Sequence, residues 1–409
     1  MTAVPAAYAG RLLADVAEQL GHPVHTELAR ALRAVPRHAF LPDRLWLRDG
    51  RGGYEPCDRA THPDEWMAAA YSDAPLVTQF TEGMPSSSAS MPSTVLRMLE
   101  LADLQPLAGT RPPGRSVIEL GTGTAFNAAL LCELLGSTGV TTVELDPVLA
   151  ERAERNLKPL GYTPTVARGD GAAGWLDRAP YDRLLATFSV DHIPAAWLAQ
   201  VRPGGRIITP WWSAWCVYGT LALDIRPDGT ATGHWHDFAS YMPMRSPEPR
   251  ASTPGTEPSG CSTVSRTGLS PWAVAGGDLA AEFHIGLTVP GASFAWDTSG
   301  QHAHTRLELE DAGSPSWAAV DYDGRQAEEF TVTQAGPRRL WDEVAAAYAR
   351  WETLGRPGAD RHRLTVGQDG THTMWVDAAD RPDRPITSLP HASSSASNAG
   401  GRDTALRSP

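Results

Sequence analysis

No Cys-x-x-Cys pair occurs among the four cysteines, Cys57, Cys132, Cys216 and Cys261. Their scatter argues against a zinc ribbon and suits a reducing cytosol. No Lys/Arg run of the kind that tracks a phosphate backbone is present, and the formal net charge is −12. Nucleic acid is therefore not an expected partner. No apolar stretch reaches the length of a membrane span, and residues 1–9 lack the basic start and apolar core of a secretory signal. The expectation is a soluble, cytoplasmic protein without membrane contact. Gly-x-Ser-x-Gly is missing, so a hydrolase nucleophile elbow has no support. His234 and His236 share a strand face, as do His302 and His304, but no further ligands gather around either pair, and no metal is expected.

What is present is enough for a packed core. The chain has 409 residues, 42% hydrophobic and 20% charged, a size that accommodates two or three domains. Its most informative stretch is Val117-Ile118-Glu119-Leu120-Gly121-Thr122-Gly123-Thr124-Ala125-Phe126-Asn127. An apolar run ends in two glycines, and an apolar helical pattern follows from Ala128 to Leu135. Strand, tight glycine turn and helix make a nucleotide-binding βα unit. Phe126 stands where the dinucleotide fingerprint has its third glycine, so the ligand need not carry a pyrophosphate. Glu144 closes the next apolar run, where a carboxylate can accept both ribose hydroxyls, and Asp170 follows the third, where it can accept from an adenine amine. Each acid alone reads as a solvated strand end. Three in order after a glycine turn read as one site at the carboxyl edge of a sheet.

Strand-like and helical runs alternate over residues 114–225, which predicts a parallel sheet covered on both faces. Two further runs flank Arg226-Pro227-Asp228-Gly229, a hairpin signal. A doubly wound α/β sheet ending in an antiparallel hairpin resembles the Rossmann-like class I methyltransferase fold. The expected organisation is an N-terminal helical and loop segment (1–80), the sheet domain (81–245) and a Pro/Ser/Thr-rich linker (246–263). A C-terminal α+β domain (264–377) and a disordered tail (378–409) complete it. Residues 35–42 read as extended, 50–64 as a surface loop and 279–287 as an apolar run with some alternation. The serines of Ser86-Ser87-Ser88-Ala89-Ser90 have two readings. Ser90 or Ser93 could cap the following helix, or the run could be a hydroxyl-lined substrate loop. The tryptophans beyond residue 264 read as core, with a peptide-binding surface as the alternative.

Residues 35–211 resemble protein-L-isoaspartate O-methyltransferases. The matching pieces are Val35-Pro36-Arg37-His38-Ala39-Phe40-Leu41-Pro42, Tyr71-Ser72-Asp73-Ala74-Pro75-Leu76, Ser90-Met91-Pro92, the glycine turn, Gly169-Asp170-Gly171 and Arg202-Pro203-Gly204-Gly205-Arg206. The resemblance implies S-adenosylmethionine as methyl donor and a carboxylate as acceptor. It places Glu119, Gly121, Thr122, Gly123, Glu144, Asp170 and Gly171 around the donor. The serine of the family's Ser-Gln-Pro signature falls on Ser90 and its neighbouring threonine on Ser88, which would line the acceptor. Met91 replaces the Gln, and Ala125-Phe126-Asn127 replaces Gly-Tyr-Gln.

The serine-rich loop, Cys132, Gly169-Asp170-Gly171-Ala172-Ala173-Gly174 and Arg339-Leu340-Trp341-Asp342-Glu343 look similar to methyltransferases that accompany ATP-grasp peptide maturases. That similarity implies an Asp of a modified precursor peptide as substrate, an ATP-grasp ligase as functional partner and a succinimide (aspartimide) as outcome. Repair of isoaspartate in damaged proteins is the alternative, with the long C-terminal region and Met91 against it. A donor-binding scaffold without turnover and an NAD-dependent oxidoreductase are the readings from other classes.

Overall fold

Val117–Leu120 is buried at every residue and pairs in parallel with Val140–Glu144 on one side and Tyr181–Ala186 on the other. A strand apolar on both faces needs cover on both. Helices Pro92–Leu101, Phe126–Leu135, Pro147–Leu157 and Ala195–Gln200 supply it. Thr165–Arg168 closes one edge, and Val201–Trp212 extends the other beside Tyr181–Ala186. Crossovers therefore leave Val117–Leu120 in opposite directions, and the strand ends splay there into a ligand crevice. The computed structural model describes residues 6–104, 116–236, 240–245, 262–298, 305–322, 328–377 and 385–389.

The sheet continues antiparallel through Val217–Ile225 and Ala231–His236, joined by a turn with Gly229 at φ +78°. It then takes up three strands from far along the chain: His362–Val366 pairs with Ala231–His236, followed by His372–Val376 and Thr387–Leu389, giving ten strands. Part of the stretch expected as a C-terminal domain thus belongs to the central sheet. The stretch expected as a disordered tail contributes a strand at Thr387–Leu389. Residues 246–261 of the expected linker, most of the expected tail, Cys261, His302 and His304 lie outside the described residues.

Between these passages lies a separate five-stranded antiparallel sheet, ordered Thr263–Thr267, Phe330–Ala335, Trp317–Tyr322, Thr305–Asp311, Ala292–Asp297. Helices Pro271–Ala275, Leu279–Thr288 and Leu340–Thr353 cover one face of it. The run at 279–287 is a helix, not an alternating strand. Phe283 and Leu287 pack into the central-sheet core, while Ile285 packs with the second sheet. Burial on both sides explains an apolar run without a clear period.

The N-terminal part also differs from expectation. Residues 50–64 contain the strand Tyr54–Asp58 and the start of the helix Pro63–Ala70, and Arg37–Phe40 is a 3₁₀ turn. The serine run is a strand, Met84–Ala89, at the edge of a four-stranded sheet beside Leu76–Thr81. Serine disfavours strands only weakly, and pairing overrides it.

Candidate functional site

The glycine turn is dictated by space. Gly121 has φ +92°, and a Cβ there would lie 2.5 Å from Thr187 Oγ1. Gly123 has φ +54°, and a Cβ there would meet nothing closer than 3.9 Å, so its backbone faces open volume. The helix Phe126–Leu135 starts at Ala125 in left-handed backbone with no side-chain cap, leaving its first N–H groups without a side-chain acceptor.

Glu119 lies wholly buried under the turn. Its Oε2 accepts from Thr142 Oγ1 at 2.6 Å, and its Oε1 from Asn127 Nδ2 at 2.7 Å. Because the Thr142 hydrogen points at Glu119, the 2.6 Å contact between Thr122 and Thr142 has Thr122 as donor. Burial still pushes the Glu119 carboxyl up to about 7, opposed by these two donors and reinforced by Glu144. Glu144 accepts from Gly123 N at 2.8 Å and Asp146 N at 3.0 Å, and Arg245 Nη2 stands 3.8 Å away.

Asp170 caps the short turn Gly171–Ala173 by accepting from Ala172 N at 2.8 Å. Gly171 beside it cannot gain a side chain, since a Cβ would lie 2.8 Å from Phe188 Cζ.

The serine strand forms the opposite wall. Ser86 Oγ accepts from Thr81 and donates to Gln79 Oε1 at 2.9 Å, while Gln79 Nε2 donates to Asp146 Oδ2 at 3.1 Å. A chain of side-chain contacts therefore ties this wall to the Glu144 loop. At its far end the buried guanidinium of Arg37 donates to the carbonyls of Ser72 at 2.9 Å, Ala74 at 3.0 Å and Ser90 at 3.0 Å. Neither Ser90 nor Ser93 caps the helix Pro92–Leu101. Asp73 does so from another segment, accepting from Ser93 N at 2.8 Å.

Residues 240–245 close the roof. Ser189 holds them in three ways: its N–H donates to Met242 O at 2.9 Å, its carbonyl accepts from Met244 N at 2.8 Å, and its hydroxyl donates to Tyr241 O at 3.0 Å. Floor, wall and roof line a cleft of about 310 Å³ that stays open on one side. Of the residues predicted from sequence, Ser88, Ser90, Glu119, Gly121, Thr122, Gly123, Glu144 and Gly171 line it together. Asp170 does not; its neighbour Gly171 takes that part of the wall.

Sequence reasoning missed Tyr241 and Arg245 in the lining, treated Asn127 only as a departure, and missed the role of Arg37 behind it. The one available signal for the roof was its place just after the hairpin turn. Among the described residues no three His, Cys, Asp or Glu side chains gather as a metal site, and no helix is long and apolar enough to cross a membrane.

The donor chemistry suits a nucleoside carrying an amino acid. Asn127 lines the cavity and its Oδ1 is buried without a hydrogen-bond partner, an acceptor suited to an ammonium beside Glu119. Glu144 stands where hydroxyl donors can reach it, across a glycine backbone that leaves room.

Comparison with known proteins agrees. Residues 53–214 match the family model for protein-L-isoaspartate(D-aspartate) O-methyltransferase. The chain is 34% identical over 202 residues to the protein-L-isoaspartate O-methyltransferase of Methanothermobacter thermautotrophicus, covering 49% of this chain and 77% of that one. It is 35% identical over 182 residues to protein-L-isoaspartate O-methyltransferase 1 of Archaeoglobus fulgidus, covering 44% and 69%. A solved protein-L-isoaspartate O-methyltransferase superposes with a TM-score of 0.53 at 20% identity, over 90% of this chain and 99% of that one. The fold likeness thus extends past the sheet domain into the C-terminal region. The chain belongs to the protein-L-isoaspartate O-methyltransferase family, enzymes that methylate carboxylates with S-adenosylmethionine.

Proposed function

We propose that this chain methylates the free carboxylate of an L-isoaspartyl residue in altered proteins or peptides. The observation that carries the reading is one cavity joining two buried carboxylates, Glu119 and Glu144, to the hydroxyls of Ser88 and Ser90. Glu119 and Asn127 would hold the donor's amino group, and Glu144 its ribose. Asp170 would reach its base from the rim. S-adenosylmethionine, when bound, supplies a methyl on a positively charged sulfur, and its transfer to a carboxylate oxygen neutralises both charges. A carboxylate has a pKa of about 4 and is already anionic at neutral pH, so no general base is needed. Ser88 and Ser90 would orient it by donating hydrogen bonds.

A second reading is favoured by Met91 and Ala125-Phe126-Asn127, where the family's own motifs differ. In it the acceptor is a normal Asp of an ATP-grasp-modified precursor peptide. The ester carbonyl is then attacked by the neighbouring backbone amide nitrogen, methanol leaves, and a succinimide remains. Mass spectrometry of parallel reactions separates the two. Gain of one methyl on a generic isoaspartyl peptide supports repair. Inactivity there, with methyl gain followed by methanol loss on a modified Asp precursor, transfers the assignment to maturation.

A further inference from the structure

Tyr241 carries an unexplained hydroxyl. Its side chain is 8% exposed, it lines the cavity, and its Oη has no hydrogen-bond partner. A buried phenol left unpaired destabilises a fold by roughly 1–3 kcal/mol, unless something bound there completes it. The ring is not free to turn away. Its backbone carbonyl accepts from Ser189 Oγ, and the next residues are pinned to Ser189 on both sides. The hydroxyl lies next to the Ser90 side chain, its one polar neighbour, and within the field of the Glu119 carboxylate. Burial raises its pKa, opposed by the Ser90 contact and reinforced by Glu119, so it remains an O–H donor at neutral pH.

Other orphan groups in the molecule point elsewhere. His284 Nε2 is sealed in the core between the two sheets, and Thr78 and Ser93 lie outside the cavity lining. Tyr241 and Asn127 are the two residues with unpaired buried atoms that line the cavity among the described residues. Asn127 Oδ1 can only accept and suits an ammonium. Tyr241 needs an acceptor, and a carboxylate is the acceptor this cavity would take.

We propose that Tyr241 donates its hydroxyl to the acceptor carboxylate beside Ser90, so that roof and wall each supply one O–H to it. The inference rests on the carboxyl-methylation reading above. It predicts selectivity for a free carboxylate over its amide, because Asn or isoasparagine would present an NH₂ to one of two fixed O–H donors.

The test uses the full chain and its Tyr241→Phe variant, which keeps the ring and its packing. Binding of an isoaspartyl peptide and of an Asp precursor peptide is measured by calorimetry in the presence of S-adenosylhomocysteine, alongside kcat/KM. The expected result is a roughly 10- to 100-fold weaker peptide affinity and kcat/KM, the scale of one hydrogen bond to a charged group. S-adenosylhomocysteine affinity should stay within about twofold, and the ratio of wild type to variant should be flat from pH 6 to 9, as for a neutral donor. Equal peptide affinity and kcat/KM in the variant, with wild type active, overturns the role of Tyr241 alone. A parallel loss of S-adenosylhomocysteine affinity overturns it too, by assigning the hydroxyl to the donor site. If the wild type binds and methylates neither peptide, the carboxyl-acceptor reading falls, and the inference with it.

Discussion

The guanidinium of Arg37 donates to the backbone carbonyl of Ser90 at 3.0 Å from complete burial. The same group holds Ala70 O at 3.1 Å, Ser72 O and Ala74 O, so one side chain joins the helix Pro63–Ala70, the 71–75 loop and the end of the serine strand. Burial lowers its pKa to about 10, and Asp73 nearby supports the charge. A forked donor reaches all these carbonyls where a point charge cannot. Arg37→Met should therefore lower stability by about 3–5 kcal/mol in denaturant unfolding, the scale of an opened buried polar cluster. Arg37→Lys should recover only part of it.

Glu119 should make donor binding depend on pH. Its folded pKa is pushed up to about 7, so below that value the carboxyl is largely protonated and cannot pair with an ammonium. S-adenosylhomocysteine affinity should fall about tenfold for each pH unit below 7 and level off above it. Titration calorimetry from pH 5.5 to 8.5 measures this. Glu119→Gln should give weak, flat binding; a variant that keeps the slope would place the titrating group elsewhere.

Ser90→Ala should slow single-turnover methyl transfer by roughly 10-fold or more while changing S-adenosylhomocysteine affinity little, the signature of a lost acceptor contact. Asp170→Ala should do the reverse and weaken the donor. Asp170 also caps Ala172 N, so a stability loss of about 1 kcal/mol is expected with it. A lower Tm with unchanged donor affinity would leave Asp170 as a cap alone.

His284 and His362 should make the fold acid-sensitive. The His362 Nδ1–H donates to Gly358 O, so its Nε2 accepts from His284 Nδ1 at 3.0 Å. His284 Nε2 is then an acceptor without a partner. Burial holds the two pKa values at about 3 and about 4, against about 6.5 in an unfolded chain. The unfolded state therefore binds protons first. The contribution is intact above pH 6.5 and is lost as pH falls toward 4, on the order of 5 kcal/mol for the two groups together by pH 4.5. Denaturant unfolding across that range reads it out, and a His284→Gln, His362→Gln double variant should show a shallower slope.

The parts of the site visible in sequence were those whose chemistry is local. Glu119 through Gly123 sit on one strand and its turn, and Glu144 ends the neighbouring strand of the same alternation, so spacing alone grouped them, though it also drew in Asp170, which stands outside the lining. Tyr241 reaches the cavity only because the chain crosses back over Ser189, and Arg37 acts through carbonyls from three separate segments. Neither leaves a periodic trace. The helix Leu279–Thr288 was obscured for the opposite reason, since it buries both faces and has no polar side. Strands His362–Val366 and His372–Val376 flank the turn signal Gln368-Asp369-Gly370, yet nothing in their residues names Ala231–His236 as the partner.

That partnership has a consequence for biosynthesis. The ribosome delivers every cavity-lining residue by Arg245, but the strand Ala231–His236 keeps a bare edge until residues 362–366 emerge. His372 Nε2 then accepts from Ile193 N at 2.8 Å, fastening the late strands to the loop just beyond Ser189. Until those residues emerge the nascent chain carries the open strand edge beside the cavity-lining segments, and an unpaired edge is a template for association with another chain.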